Sequence, residues 1–487
     1  MQRTRCGCCP CYLHRSLAQA QKARTREPVL HNAPVARIEN RARLTDHGDQ
    51  ELRAAVLDLA EAALAALSPS AGLRRSVRLD GENLVAGGRS YDLAAIGRLV
   101  VLGAGKASAE LAAALEEMLG PRLDGGVVVV PRAAEKPMRR LTVLPGEHPV
   151  PGPASVTGAR ALLEEAGRLG QRDLAICVFT GGSSALASLP PPPISAAEKA
   201  RLHRLMLYSG MSVVEINTVR KHVSLIKGGR LARAIAPARI LNLTVSDVVG
   251  DPLDCITDPT VQDTSAVVDA LSVLREWELL DRVPGSVREY LTDCAESASP
   301  DLGDVDIHSV LLARGEDGSE AVLKAAAARG LSGVRLGGSL EGEAATAGRV
   351  LATLARESRA TGSPWPRGTV VVACGGEYTV NLGPDADALF GRGGPSQEAA
   401  IGAALALDGA AGIVALFADT DGSDGGTAIA GGLVDWSTAG RAREQGLSLR
   451  KGLVDHATTA LLEACGDAVL TGATLTNAND LVIIGVR

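Results

Sequence analysis

The sequence predicts an α/β fold with mainly parallel, Rossmann-like sheets, divided into two domains. Three observations carry this reading. Short continuous apolar runs alternate with stretches of helical periodicity, the pattern of a parallel sheet covered on both faces. A polar Pro/Gly stretch, SASPDLGD at residues 297–304, separates two such series. The length of 487 residues allows two or three sizeable cores.

The elements follow in order. DQELRAAVLDLAEAALAALSPSAG has helical apolar spacing and ends at Ser-Pro. IGRLVVLGAG is a buried strand running into glycine, KASAELAAALEEML a helix, and GGVVVVP a strand. PASVTGARALLEEAGRL is a helix, and DLAICVFTGGSSA a strand entering a Gly-Ser turn. Two helical stretches lead to ARILNLTVSDVVGD, a strand ending in acids. Beyond residue 300 a second α/β series includes GTVVVACGGEYTV, SQEAAIGAALALDG and AGIVALFADTDG, and the chain closes with DLVIIGV.

Charge and cysteine usage bound the function. The formal charge of −6 argues against a nucleic-acid protein. Residues 1–47 hold nine Lys/Arg against three Asp/Glu, a net of +6, which leaves −12 for the remainder. With CGCCPC at residues 6–11, this segment reads as a disordered basic extension, with a zinc site or a transit peptide as other readings. The scattered cysteines read as small core residues in a reducing cytoplasm. No run of eighteen apolar residues marks a membrane span, and no secretory signal opens the chain.

Five strand ends carry polar chemistry: GAGKAS (103–108), TGGSSA (180–185), SDVVGD (246–251), CGGEYT (374–379) and DTDGSDGG (419–426). Ligands of open α/β sheets sit outside the carboxyl ends of the strands. Gly103 and Gly105 would let backbone N–H groups approach a phosphate, and Lys106 would sit at a helix start, where a cation needs an anion beside it. The loop is not a Walker A loop, and Ser108 replaces the third glycine of a dinucleotide fingerprint. Arg132 keeps an NADPH-binding reading open. Gly181, Gly182, Ser183 and Ser184 offer a second anion cradle. Lys227, Gly228 and Gly229 precede a helix restart, beside Arg220 and Arg230.

Crowded like charges need a counter-charge or a fixed geometry. Magnesium takes one or two carboxylates, with waters and substrate phosphates completing its shell. Asp247, Asp251, Glu377, Asp421 and Asp424 lie at strand ends expected to converge, with Asp424 expected as a helix cap. Acids, a lysine and anion cradles are what phosphoryl transfer requires.

These residues resemble the glycerate 2-kinases, whose C-terminal part is the MOFRL domain. GAGKAS resembles the family's GxGKA loop, and GEHPVPGPAS (146–155) its GHPxPDxxS segment. INTVRKHVSLIKGGRLA (216–232) is nearly identical to the family string, and GRGGPSQE and TGATLTNANDL follow in the family's order. The resemblance implies two α/β domains, 48–300 and a MOFRL-like 301–487, with an active site in the cleft between them. It implies phosphorylation of the C2 hydroxyl of D-glycerate, or a closely related sugar acid, with ATP and Mg2+. Lys106 falls on the family's catalytic lysine. The family's second cation, the arginine of GGRNQE, falls on Pro395, so that role is vacant or has moved to Arg392. In this reading Arg220 or Arg230 binds the substrate carboxylate with Glu377 nearby. Asp247 or Asp421 accepts the hydroxyl proton, and Asp251 and Asp421 hold the metal. Expected partners are the small-molecule substrate alone, with a homodimer left open. The alternatives are an NADPH-dependent hydroxypyruvate reductase and a catalytically impaired paralogue that binds nucleotide or sugar acid.

Overall fold

The structure is a computed structural model. It describes residues 38–131, 138–207, 209–245, 258–382, 392–476 and 478–487. The cysteine cluster, Arg132, Asp247 and Asp251 lie outside the described residues.

A small antiparallel meander, β1 (Val77–Asp80), β2 (Asn83–Ala86) and β3 (Arg89–Asp92), precedes the first large sheet. That sheet contains β4 (Leu99–Ala104), β5 (Gly125–Val130), β6 (Thr142–Pro145), β7 (Leu174–Phe179), β8 (Arg239–Thr244) and β9 (Ile307–Leu311). Its spatial order is β6-β5-β4-β7-β8-β9, with every neighbouring pair parallel. This is the doubly wound order, and the strand sequence reverses between β4 and β7. Both faces are covered. Leu111, Leu115 and Leu119 pack one side, and Ala159, Leu162 and Ala166 the other. Burial on both faces explains why these strands read as unbroken apolar runs.

The second sheet contains β10 (Ser332–Gly337), β11 (Glu341–Glu343), β12 (Thr369–Thr379), β13 (Ile413–Asp419), β14 (Gly431–Asp435), β15 (Ala468–Val469) and β16 (Asp480–Val486). Its order is β10-β12-β16-β13-β14-β15, with β11 also on β12. Only the β10–β12 and β11–β12 pairs are parallel, and the rest are antiparallel. The two-unit α/β architecture holds, but the expected parallel direction holds only for the first sheet. A strand buried on both faces shows the same apolar run whichever way its neighbours point.

The expected boundaries also shift. The helix Gln50–Leu67 buries Leu52, Val56, Leu57 and Leu59 against Val370, Val414 and Ile483 of the second sheet. Ile38 and Leu44 join that cluster, so residues 38–47 are packed. In turn β9 lies beyond residue 300 yet completes the first sheet. Arg53, fully buried, fixes the N-terminal helix: its Nε lies 2.7 Å from Asp435 Oδ2 and its Nη2 2.9 Å from Asp467 Oδ1. Cys177, Cys374 and Cys465 are buried and form no disulfide among the described residues, as small core residues should. Among the described residues no single helix is long and apolar enough to cross a membrane.

Candidate active site

The loops at the switch point of the first sheet face the Asp-rich loop of the second unit. β4 ends at Ala104 and turns through Gly105, Lys106 and Ala107 into the helix Ser108–Leu119. Lys106 Nζ donates to Asp421 Oδ2 at 2.6 Å, 315 residues away in sequence. The lysine side chain is 31% exposed and the aspartate 10%, so the pair sits at the mouth of a recess.

The three crowded aspartates take separate tasks. Asp419 Oδ1 accepts the Asp421 N–H at 2.9 Å and shapes the turn. Asp421 faces the lysine and accepts the Ser423 N–H on its other oxygen at 2.8 Å. Asp424 accepts the N–H groups of Ser396 (3.2 Å) and Gln397 (2.9 Å), capping the helix Pro395–Leu407 from another loop. Burial, then the Asp421 and Asp480 charges, push the Asp419 carboxyl well up. Burial pushes Asp424 to about 8 despite its hydrogen bonds to Gln397 and Ser396. Burial likewise raises Asp480 to about 6. Asp480 accepts from the Tyr378 N–H and from the Ser396 hydroxyl.

A cavity of about 210 Å³ opens beside Lys106, lined by His148, the residues 180–185, Asn217, Arg220 and Asp258. It thus brings together Lys106, Gly181, Gly182, Ser183, Ser184 and Arg220 from the sequence reading. The N–H groups of Gly181, Gly182 and Ser184 have no acceptor among the described residues, and Ser184 Oγ is buried without a partner there. Donors without an acceptor among the described residues, in a recess beside two cations, suit an anion. Arg220 is carried there by the helix Val213–His222, whose start is fixed by a reciprocal Ser212–Glu215 capping box.

The glycines of GAGKAS have another task than the expected cradle. The Gly105 N–H donates to Val129 O, that of Lys106 to Gly181 O, and that of Ala107 to Thr180 Oγ1. A side chain at Gly103 would strike Val178 and one at Gly105 would strike Thr180. These glycines therefore serve packing between β4 and β7, and the loop presents Lys106 rather than free N–H groups. Lys227 is also reassigned. Its ammonium is fully buried and donates to Ala187 O at 2.8 Å, just past the Gly-Ser turn. Burial, helped by the Arg220 charge, lowers it to about 7. Gly228 and Gly229 back onto Asp263 and Leu302, and Arg230 donates to the carbonyls of Lys221 and Lys227. These four residues build the wall behind the site and do not line it. Glu377 pairs in register with Glu341 at a sheet edge, outside this cavity. Arg392 is exposed and lines neither this cavity nor its neighbour.

His148, Asn217 and Asp258 had no assigned role. Glu147 accepts from Ala154 N and Ser155 N at the start of the helix Pro153–Ala166, which pins the adjacent His148. Burial, reinforced by the Lys106 charge, lowers the imidazole to about 4, so it is neutral near pH 7. GEHPVPGPAS was the signal that singled out its segment. Asp258 accepts from Asn242 and twice from Thr260, which marks it as an organiser of the cavity wall.

Gly182 has φ of +84°, and an added Cβ would lie 2.9 Å from His148. Gly182→Ala is expected to cost about 1–2 kcal/mol from the left-handed backbone alone. It should lower kcat/KM further by displacing His148, as thermal unfolding and steady-state kinetics would show.

Two α/β units with a lysine and an aspartate meeting between them, at the carboxyl ends of a doubly wound sheet, define a two-domain α/β enzyme. Residues 55–292 match a domain of unknown function, DUF4147, and residues 370–480 match the MOFRL family. A glycerate 2-kinase of Pyrococcus horikoshii is 34% identical over 89% of this chain and 97% of its own length. A protein of Agrobacterium vitis named "Putative hydroxypyruvate reductase" is 39% identical over 80% of this chain and 88% of its own. The crystal structure of a glycerate kinase from Thermotoga maritima superposes with a TM-score of 0.74 at 30% identity, covering 90% of this chain and 100% of the other. The chain belongs to the glycerate 2-kinase family.

Proposed function

We propose that this protein phosphorylates the 2-hydroxyl of D-glycerate, using ATP, to give 2-phosphoglycerate. The observation that carries the reading is the 2.6 Å contact between Lys106 and Asp421 across the two units. It puts a partly exposed cation at the mouth of a recess that already holds Arg220 and N–H donors with no acceptor among the described residues. Phosphoryl transfer needs positioning and charge neutralisation more than covalent chemistry. Arg220 takes the substrate carboxylate. The N–H groups of Gly181, Gly182 and Ser184 take phosphoryl oxygens. Lys106 leaves Asp421 to neutralise charge that develops during transfer. Asp247 stays the proposed acceptor of the hydroxyl proton, a modest demand in a loose transition state.

Among the described residues no three His, Cys, Asp or Glu side chains are arranged to hold a metal. Both Asp421 oxygens already accept from protein donors. Asp421 Oδ2 is released when Lys106 turns to the phosphates, so Asp421 with Asp251 stays the proposed carboxylate pair for the magnesium of the nucleotide complex.

The engaged N–H groups of GAGKAS weigh against the reductase alternative, which needs that turn open to a pyrophosphate. A screen of small 2-hydroxy acids for ADP release, beside NADPH absorbance with hydroxypyruvate, separates the readings. Fastest ADP release with D-glycerate and no NADPH oxidation is expected. NADPH oxidation without ADP release would overturn the proposal, and tight ATP binding without turnover would leave the impaired-paralogue reading.

A further inference from the structure

A second cavity, of about 230 Å³, adjoins the anion recess, and Pro149 and Leu207 line both. It spans the two units. Pro149, Val150 and Leu207 come from the first, and Val380, Leu382 and Pro395 from the second. Its volume is below the ~300–1,000 Å³ of a complete ligand site, so it is a subsite.

Its chemistry is opposite to that of its neighbour. The adjacent helix N-terminus is closed to outside anions, because Asp424 already occupies its N–H groups. The polar wall is acidic. Glu398, 3% exposed, accepts from or shares a proton with His456 Nδ1 at 2.8 Å. His456 holds φ of +49°, unusual for a residue with a side chain. A phosphate or carboxylate placed here would meet the buried Glu398 carboxyl and, among the lining residues described, no cationic lysine or arginine. Of the parts of a nucleotide and a hydroxy acid, only the base is uncharged, flat and largely apolar.

We propose that this cavity holds the base of the phosphoryl donor, with the Glu398–His456 pair meeting its ring-edge donors and acceptors. The phosphate chain runs past Pro149 and Leu207 to Lys106. The inference rests on the kinase reading and adds to it where the donor's base sits. Fixing the base between the two units also couples nucleotide binding to their approach, because neither unit forms the cavity alone.

The test fills the cavity in the full chain. Val380→Trp is expected to raise the KM for ATP by about tenfold or more, with the KM for glycerate within about twofold and kcat at saturation retained. Inorganic tripolyphosphate, which has no base, should inhibit wild type and variant equally. Glu398→Gln is expected to change the preference between ATP and GTP, which a purely structural role would not move. If Val380→Trp fails to show a cooperative melt, Leu382→Trp fills the same wall for the same readouts. An unchanged KM for ATP, a rise confined to glycerate, or equal loss of ATP and tripolyphosphate would each overturn the proposal. Absence of ADP release in the wild type would instead remove the kinase reading beneath it.

Discussion

Lys106→Met is expected to lower kcat by about 10²–10³-fold, the usual cost of losing one preorganised charge in the transition state. Methionine keeps the unbranched stem, which passes close to Gly182, so the packing of the turn survives. The charge is what disappears. Asp421 then loses its partner but stays held by the Ser423 N–H, and the lysine's own partial exposure limits the structural penalty. The melting temperature should change little while turnover collapses. A variant that keeps wild-type turnover would remove Lys106 from the mechanism. A variant that unfolds would make the ion pair structural.

Arg53→Met is expected to be the costliest single change to stability, at about 3–5 kcal/mol, the range for breaking a buried ion pair on one side. Arg53, Asp435 and Asp467 are all fully buried. Asp467 would retain Arg441 and His47, but among the described residues Asp435 would keep only neutral donors: Ser437 and the Asp49 N–H. Burial alone would raise the Asp435 carboxyl. The Arg53 guanidinium more than offsets this and holds it below the usual range. The folded value is therefore depressed. The stability this confers is fully present above the unfolded pKa of about 3.9 and is lost as pH falls through the lower folded value. Urea melts of the variant at neutral pH should show the loss, and the gap to wild type should narrow in strong acid. A difference below about 1 kcal/mol at neutral pH would contradict the assignment.

Both partners of the central pairing end buried strands, and strand ends of a doubly wound sheet converge. That rule covers Lys106 alone: Asp421 follows β13 of the mainly antiparallel second sheet, and only the family resemblance, with its cleft between two domains, set the two loops face to face. The helix Gln50–Leu67 was legible as a helix but not in its placement. A periodic apolar stripe says that a face is buried, not against which sheet, and here it crosses to the second one. Lys227 was read as part of an anion-friendly helix restart and Arg230 as a ligand for the substrate carboxylate. Their tertiary partners are backbone carbonyls, which leave no mark in a sequence. The glycines of GAGKAS were read as room for a ligand when they are room for β7. Both demands select the same residue type. His148 was hidden for a related reason: a single histidine carries no spacing signal, and only the fold sets it against Gly182.

The joining of the two units around a transferred phosphoryl group is tested most directly by the product itself. Wild-type protein incubated with ATP and D-glycerate should yield one new ester in proton-coupled phosphorus NMR. Its resonance should be a doublet, because C2 carries one hydrogen. A triplet, from the two hydrogens of C3, or no ester at all would contradict the account.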